Sequence, residues 1–188
     1  RILGATEAMI RRGGFVFQSS LQAGSSGLIL RSGSPGPPPR DDNPWSLLHA
    51  AFADGAIPAI GDYSTVKWIL HLGLGDDLAV DDERGRKARL RIVGLLAGSI
   101  LQNELVIAED RFVGLFPSTE GYGFFLIDSP GDAADAALQQ TLERGLADYG
   151  FDVASTTERL SSYMAVENTY LSAFHALGGL GVVLGTLG

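Results

Sequence analysis

The chain has 188 residues, of which 45% are hydrophobic and 19% are charged, as is usual for a globular protein. Its net charge of −8 argues against a nucleic-acid partner, because phosphate binding requires clustered Lys and Arg. The absence of cysteine excludes disulfides, thiolate catalysis and zinc–thiolate sites.

The N-terminal part predicts two short strands, a linker and a helix. Residues 15–20 follow a Gly-Gly break and are β-prone, and residues 28–31 predict a second short strand. Residues 32–43 are rich in proline, glycine and serine, which is typical of a linker or long loop. A helix is predicted to begin at Pro44 with Asn43 as its N-cap and to end before Gly55.

The central part alternates strand and helix signals. Residues 56–60 predict a strand, in which Pro58 indicates a sheet edge or a strand start. Asp62 is the expected cap of a helix over residues 63–70, with three apolar side chains facing inward: Val66, Ile69 and Leu70.

A hairpin is predicted next, with residues 77–80 pairing with residues 88–93. In the second strand the apolar and basic side chains alternate, which is typical of a half-buried strand. Leu90 and Ile92 are expected inside, and Arg89 and Arg91 outside. Residues 95–96 and 105–107 predict a further strand, which is followed by a short helix over residues 109–115.

The C-terminal third has the pattern of a βαβ unit. Residues 122–127 predict the strongest strand, residues 133–149 an amphipathic helix that Gly150 ends, and residues 151–153 another strand. A long helix is predicted from residue 156 to the end of the chain.

The last thirteen residues, 176–188, carry no charge. A membrane-spanning helix needs about 20 such residues, so this run is too short to cross a bilayer alone. Gly181 and Gly185 have the four-residue spacing that lets membrane helices pack closely. We interpret the run as the start of a membrane helix, and the chain, which begins at Arg1, as a fragment. The alternative is a buried terminal helix of a soluble domain.

No catalytic, cofactor-binding or metal-binding constellation is predicted, and we expect no enzyme. The glycines of residues 72–77 lack the third glycine of a dinucleotide-binding turn. The acidic pairs and triplets of the chain lack the ligand spacing of a calcium loop and are expected to solvate turns. His71 with Asp76 or Asp77 is a conceivable metal pair, although a single histidine after an apolar helix face is more often packed or capping.

Two stretches resemble the extracytoplasmic domain of FtsX/MacB-type ABC-transporter permeases. One covers residues 57–116, with Gly-Asp turns leading a small β-lobe and the return strand Leu-Arg-Ile-Val-Gly-Leu-Leu at residues 90–96. The other, residues 166–188, resembles the stalk helix that enters the second transmembrane helix of such permeases.

The resemblance implies an α+β fold with two lobes outside the bacterial cytoplasmic membrane. The βαβ-containing, porter-like lobe would comprise residues 1–54 and 119–165, and the inserted, mainly β lobe residues 55–118. Residues 166–188 would form the stalk and the start of a transmembrane helix.

The resemblance also implies a mechanical function. ATP hydrolysis by a separate ATPase subunit would move the stalk and the lobes, and so move or release a lipid, lipoprotein or peptide or act on an extracytoplasmic partner protein. Glu167, Asn168 and Tyr170 are the candidate coupling residues. Their alternative role is ordinary helix surface near a membrane.

Two other functions remain open from the sequence. The chain could be a self-contained soluble binding domain or hydrolase with an apolar C-terminal helix, for which ligands near His71, Asp76 and Asp77 would be the best support. It could also be a structural spacer within a permease.

Overall fold

The computed structural model describes residues 1–24, 27–32, 43–129 and 132–163, together with residues 172, 174, 175, 177 and 178. The chain divides into two compact units, Arg1–Gly123 and Phe124–Gly188. All the strands among the described residues belong to the first unit.

Seven strands of the described residues form one mixed sheet in the first unit. They are β1 (Ile2–Ala5), β2 (Phe17–Gly24), β3 (Gly27–Ser32), β4 (Ile57–Asp62), β5 (Asp77–Asp81), β6 (Lys87–Leu96) and β7 (Leu105–Ala108). Their order is β1-β7-β4-β6-β2-β3, and β5 pairs with β6 beside this path. The fold is therefore α+β, as predicted.

The long strand β6 organises this sheet. On one side it pairs with β4 in parallel, and on the other it pairs antiparallel first with β5 and then with β2. The predicted hairpin of β5 and β6 is confirmed, with Leu78 opposite Leu90. Leu90 and Ile92 are fully buried, which confirms their predicted inward orientation.

Four helical segments accompany the sheet in the first unit. They are α1 (Glu7–Arg12), a 3₁₀ helix (Pro44–His49), a π-helix (Thr65–Ile69) and α2 (Glu109–Leu115). The helix predicted over residues 109–115 is confirmed as α2. The second unit contains α3 (Asp132–Gly145), a 3₁₀ turn (Ala147–Tyr149) and a helical segment over residues 156–163.

The predicted N-cap Asn43 is confirmed, but the helix after it is a short 3₁₀ helix that ends at His49. The Asn43 Oδ1 accepts a hydrogen bond from the Trp45 amide (3.1 Å), and its Nδ2 donates to the Ile10 carbonyl (2.6 Å). Trp45 is fully buried and donates from its indole nitrogen to the Gly14 carbonyl (2.9 Å). Asn43 thus connects this helix to α1.

The helix predicted over residues 63–70 is mainly a π-helix. Its wider turn is closed by the Leu70 amide donating to the Thr65 carbonyl (3.0 Å). Val66 is fully buried as expected, but Ile69 is 59% exposed, so its predicted inward orientation is wrong. The side-chain spacing of a π turn differs from the α-helical spacing on which that prediction depended.

The predicted βαβ unit of the C-terminal third is wrong. Residues 122–127 and 151–153 are described, and neither segment forms a strand. A β-prone sequence becomes a strand only beside a hydrogen-bonding neighbour, and neither segment pairs with a strand in the described part of the chain. Gly150, at φ 65°, ends the preceding helical turn as predicted.

The predicted long helix begins at residue 156 as expected and is described through residue 163. Residues 164–171, 173, 176 and 179–188 lie outside the described part, as does most of the predicted linker. Within the described residues, no helix combines the length and the hydropathy that crossing a membrane requires. The boundaries of the two predicted lobes stay a prediction.

Candidate functional site

An apolar groove of about 600 Å³ lies on the first unit and is open to solvent. Its volume is in the range of small-molecule sites, about 300–1,000 Å³. Four polar residues line it, namely Arg1, Thr65, Asn103 and Thr119. The apolar lining comes from strands and helices that are distant in sequence: Ile2, Ile69, Leu70, Leu78, Val80, Leu105, Phe112 and Phe116.

Strands supply one part of the groove. Ile2 of β1 lies opposite Leu105 of β7 in a parallel pair. Leu78 and Val80 of β5 are two positions apart and therefore lie on the same face of that strand. These side chains are extensions of the buried core, since Leu105 is only 5% exposed.

The π-helix forms one wall and is anchored by a buried carboxylate. Asp62, 1% exposed, accepts hydrogen bonds from the Ser64 amide at Oδ1 (3.0 Å) and from the Ser99 amide at Oδ2 (2.9 Å). The start of the helical segment is thereby fixed to the loop between β6 and β7. Single π turns occur frequently at functional sites, and here the turn presents Ile69 to the groove.

The second wall is α2 with the residues that follow it. The rings of Phe112 and Phe116 lie 5.3 Å apart. The Leu115 carbonyl accepts from the Glu83 amide (3.0 Å), and the Ser118 amide donates to the Glu83 carboxylate (3.0 Å). Glu83 therefore holds the end of this wall against the β5–β6 turn.

Several polar groups of the groove have partners within the protein. The Thr65 Oγ1 accepts from the Asn103 amide (2.9 Å), and the Arg1 carbonyl accepts from the Leu105 amide (2.9 Å). The Arg1 guanidinium lies 3.5 Å from Glu104. Because unpaired polar groups are costly to cover, this lining suits a ligand part that needs no hydrogen bonds.

An ion-pair cluster lies elsewhere on the sheet. Arg91 donates to Asp77 from Nε (2.7 Å) and from Nη2 (2.8 Å), and to Asp54 from Nη2 (2.7 Å). Its guanidinium also lies over the ring of Phe52, 4.7 Å from the ring centre. The hydrogen bonds from Arg91 lower the pKa of both carboxyls and raise the pKa of Arg91.

The cluster decides the role of Asp77, which the sequence left open as a metal ligand. Its carboxylate is held by Arg91 and Arg89, and Asp76 accepts from the Gly73 amide (2.8 Å) instead. His71 is exposed, with a left-handed φ of 56°. The described residues contain no group of three or more His, Asp or Glu that could hold a metal ion.

Asp82, one of the acidic residues expected to solvate a turn, is instead buried and holds its turn by hydrogen bonds. Its buried carboxylate accepts from the amides of Arg84 (2.9 Å) and Arg86 (2.8 Å), and it pairs with the Arg86 guanidinium (2.7 Å). Backbone hydrogen bonding lowers the pKa of this carboxyl.

The predicted coupling residues Glu167, Asn168 and Tyr170 lie outside the described residues. The groove, by contrast, was missed by sequence reasoning. Each lining residue has an ordinary core pattern in its own segment, and the sequence carries no signal that these segments meet around an open space.

Comparison with protein-family models, with curated proteins and with solved structures found no match to this chain. The resemblance to FtsX/MacB-type permeases therefore depends on the two sequence stretches alone. The groove is the structural feature from which a function can be argued.

Proposed function

We propose that this chain is the non-catalytic extracytoplasmic domain of an ABC-transporter permease in the bacterial cytoplasmic membrane. In this proposal the apolar groove receives the apolar part of the molecule that is moved or released. The observation that supports the proposal is the groove itself, an open apolar site on the sheet with walls from two short helices.

The proposed coupling runs from the membrane to the groove. An ATPase subunit on the cytoplasmic side hydrolyses ATP and shifts the membrane helices, and residues 166–188 carry that motion to the two lobes. Glu167, Asn168 and Tyr170 are the proposed coupling residues. Relative motion of the lobes changes access to bound substrate, or to an extracytoplasmic partner such as a lipoprotein.

The same proposal includes the division of the chain into two lobes. The porter-like lobe is residues 1–54 with 119–165, and the inserted lobe is residues 55–118. Seven of the eight apolar lining residues come from the inserted lobe. This lobe is therefore the part proposed to hold the substrate.

A self-contained soluble binding domain is the second candidate. The groove favours it equally, because all of its lining lies within Arg1–Gly123 and needs no membrane segment. The two candidates share a binding function and differ in whether the chain is attached to a membrane.

The parent reading frame separates them. The proposal expects the apolar run of residues 176–188 to continue for about seven residues more, which completes a span of about 20, and a second span upstream of Arg1. Polar sequence on both sides would contradict the permease and leave the soluble binding domain.

Deletion of residues 55–118 from the complete permease, replaced by a short Gly-Ser linker, tests the role of the inserted lobe. The proposal expects membrane insertion and basal ATPase activity to persist while transport is lost. Transport at the normal rate would show that this region is only a spacer.

A further inference from the structure

We propose that the apolar groove binds a single hydrocarbon chain that ends in an anionic group, as in a long-chain fatty acid. This inference deepens the proposed function by naming the substrate class, and in that respect it rests on it. The observation that supports this inference is that the apolar groove has a cationic side chain, Arg1, among its lining residues.

The lining of the apolar groove favours a hydrocarbon ligand over a peptide. Ile69, Leu78 and Phe116 present aliphatic and aromatic surface, and the Thr65 hydroxyl already accepts a hydrogen bond from within the protein. A peptide laid here would lose water from its amides and carbonyls and find few replacement partners. A hydrocarbon chain has no such groups to desolvate.

The charge of the lining selects the head group. Arg1 is the charged residue among the groove's described lining residues, and its side chain is 63% exposed. Its partner Glu104 lies 3.5 Å away, is only 13% exposed and is not part of the lining, and the guanidinium keeps an exposed face toward solvent. An anionic head group at this position meets a cation and no lining carboxylate.

The size of the groove selects one chain rather than two. About 600 Å³ is the volume of a site for a drug-sized ligand, and the groove is one continuous space. Ile69, which lines the groove and is 59% exposed, offers apolar surface that a hydrocarbon chain would cover. The proposal therefore commits to a single-chain amphiphile, not to the surface of a diacyl lipid bilayer.

The test uses the complete chain and the fluorescent fatty acid cis-parinaric acid, displaced by dodecanoate. Thr119→Trp places a large ring at an exposed position of the lining and is expected to weaken dodecanoate binding at least about tenfold. Ile69→Ser removes apolar contact and is expected to weaken binding about fivefold. Val113→Ser is the matched control, because Val113 is 49% exposed on α2 and lies outside the lining, and its affinity is expected to be unchanged.

The head-group claim has its own comparison. Arg1→Gln is expected to weaken dodecanoate binding about threefold, the effect of losing an exposed charge pair, and to leave binding of 1-dodecanol unchanged. Thermal unfolding and circular dichroism of each variant establish that the fold is retained. If Thr119→Trp does not fold, Ile69→Ser against Val113→Ser carries the test.

Three results would overturn the inference: no displacement by dodecanoate, equal affinity for Ile69→Ser and Val113→Ser, or binding to anionic diacyl vesicles without binding to dodecanoate. Failure here removes the proposed ligand of the groove, whereas the permease proposal is tested separately by the flanking reading frame. If dodecanoate binds as expected but the parent reading frame is polar on both sides of this chain, the result would support the second candidate, a soluble binding domain, with a fatty acid as its ligand.

Discussion

Gly4 of β1 lies so close to Phe112 of α2 that a Cβ on residue 4 would stand 3.0 Å from the Phe112 Cβ. This approach seats the second wall of the groove on the sheet. We expect Gly4→Ala to destabilise the protein by about 1–3 kcal/mol, because the helix must shift to admit the methyl group. It should also weaken dodecanoate binding, since Phe112 lines the groove.

The matched control is Gly114→Ala on the same helix, where an added Cβ meets nothing within 4 Å. Alanine is the better helix former, so this variant should be as stable as the wild type or up to about 1 kcal/mol more stable. Urea unfolding of both variants measures the difference. Equal midpoints would contradict the close packing of Gly4.

Gly61 of β4 is a second position where no side chain fits. A Cβ there would lie 2.7 Å from the Leu105 Cδ2 and 2.8 Å from the Val66 Cγ2, and both of these side chains are buried. Gly61→Ala should cost about 1–3 kcal/mol through overpacking. Leu105→Ala makes room, so the double variant should be more stable than the sum of the single effects predicts.

Of the two carboxylates compared, Asp62 and Asp110, substitution of Asp62 should lower the free energy of unfolding more. Asp62→Ala leaves the buried Ser99 amide without its acceptor, which should cost about 1–3 kcal/mol. Amide hydrogen exchange should show lost protection at Ser64 and Ser99. Asp110→Ala, at a side chain that is 74% exposed, is the control and should change stability by less than about 0.5 kcal/mol. Full protection of Ser99 in Asp62→Ala would refute the anchor.

The Arg91 cluster predicts a specific pH dependence. Hydrogen bonds from Arg91 lower the pKa of Asp54 and Asp77 below the ordinary value of 3.8, so in the folded state both bind protons less readily than in the unfolded state. The two carboxylates therefore contribute their full stabilisation of the folded state above pH 3.8, the ordinary pKa. This contribution is lost as the pH falls through their lowered pKa values.

Arg91→Met tests this pH dependence. The variant should be less stable than the wild type at about pH 6, and the gap should close as the pH falls below 3.8. Urea unfolding across that range measures it. Because Asp54 is exposed and Asp77 is only half-buried, the gap is expected to be modest and to shrink in high salt. A gap that is constant with pH would attribute the effect of Arg91 to its packing on Phe52 instead.

Elements with local signals could be predicted from the sequence. The alternation around Leu90 and Ile92 identified β6, and the side chain of Asn43 identified a helix start whose hydrogen bonds are present. The type of the helix was not predictable, because the 3₁₀ and π turns depend on how Trp45 and Val66 are buried, which is a tertiary property.

Elements that depend on distant partners could not be predicted. Residues 122–127 have strong β propensity, yet Phe125 and Ile127 remain 54% and 49% exposed outside any strand. The groove is a case of the same kind, since its lining residues Ile2 and Phe116 lie far apart in the sequence. Periodicity reports which face of a segment is apolar, and not what covers that face.

Methyl-resolved NMR spectra of the complete chain, titrated with dodecanoate, test the proposed binding function most directly. Saturable shifts should occur at the methyl groups of Ile69, Leu78 and Leu105, while those of the control residue Val113 and the buried Leu101 stay unchanged. Shifts confined to residues outside the groove, or none at concentrations below micelle formation, would contradict it.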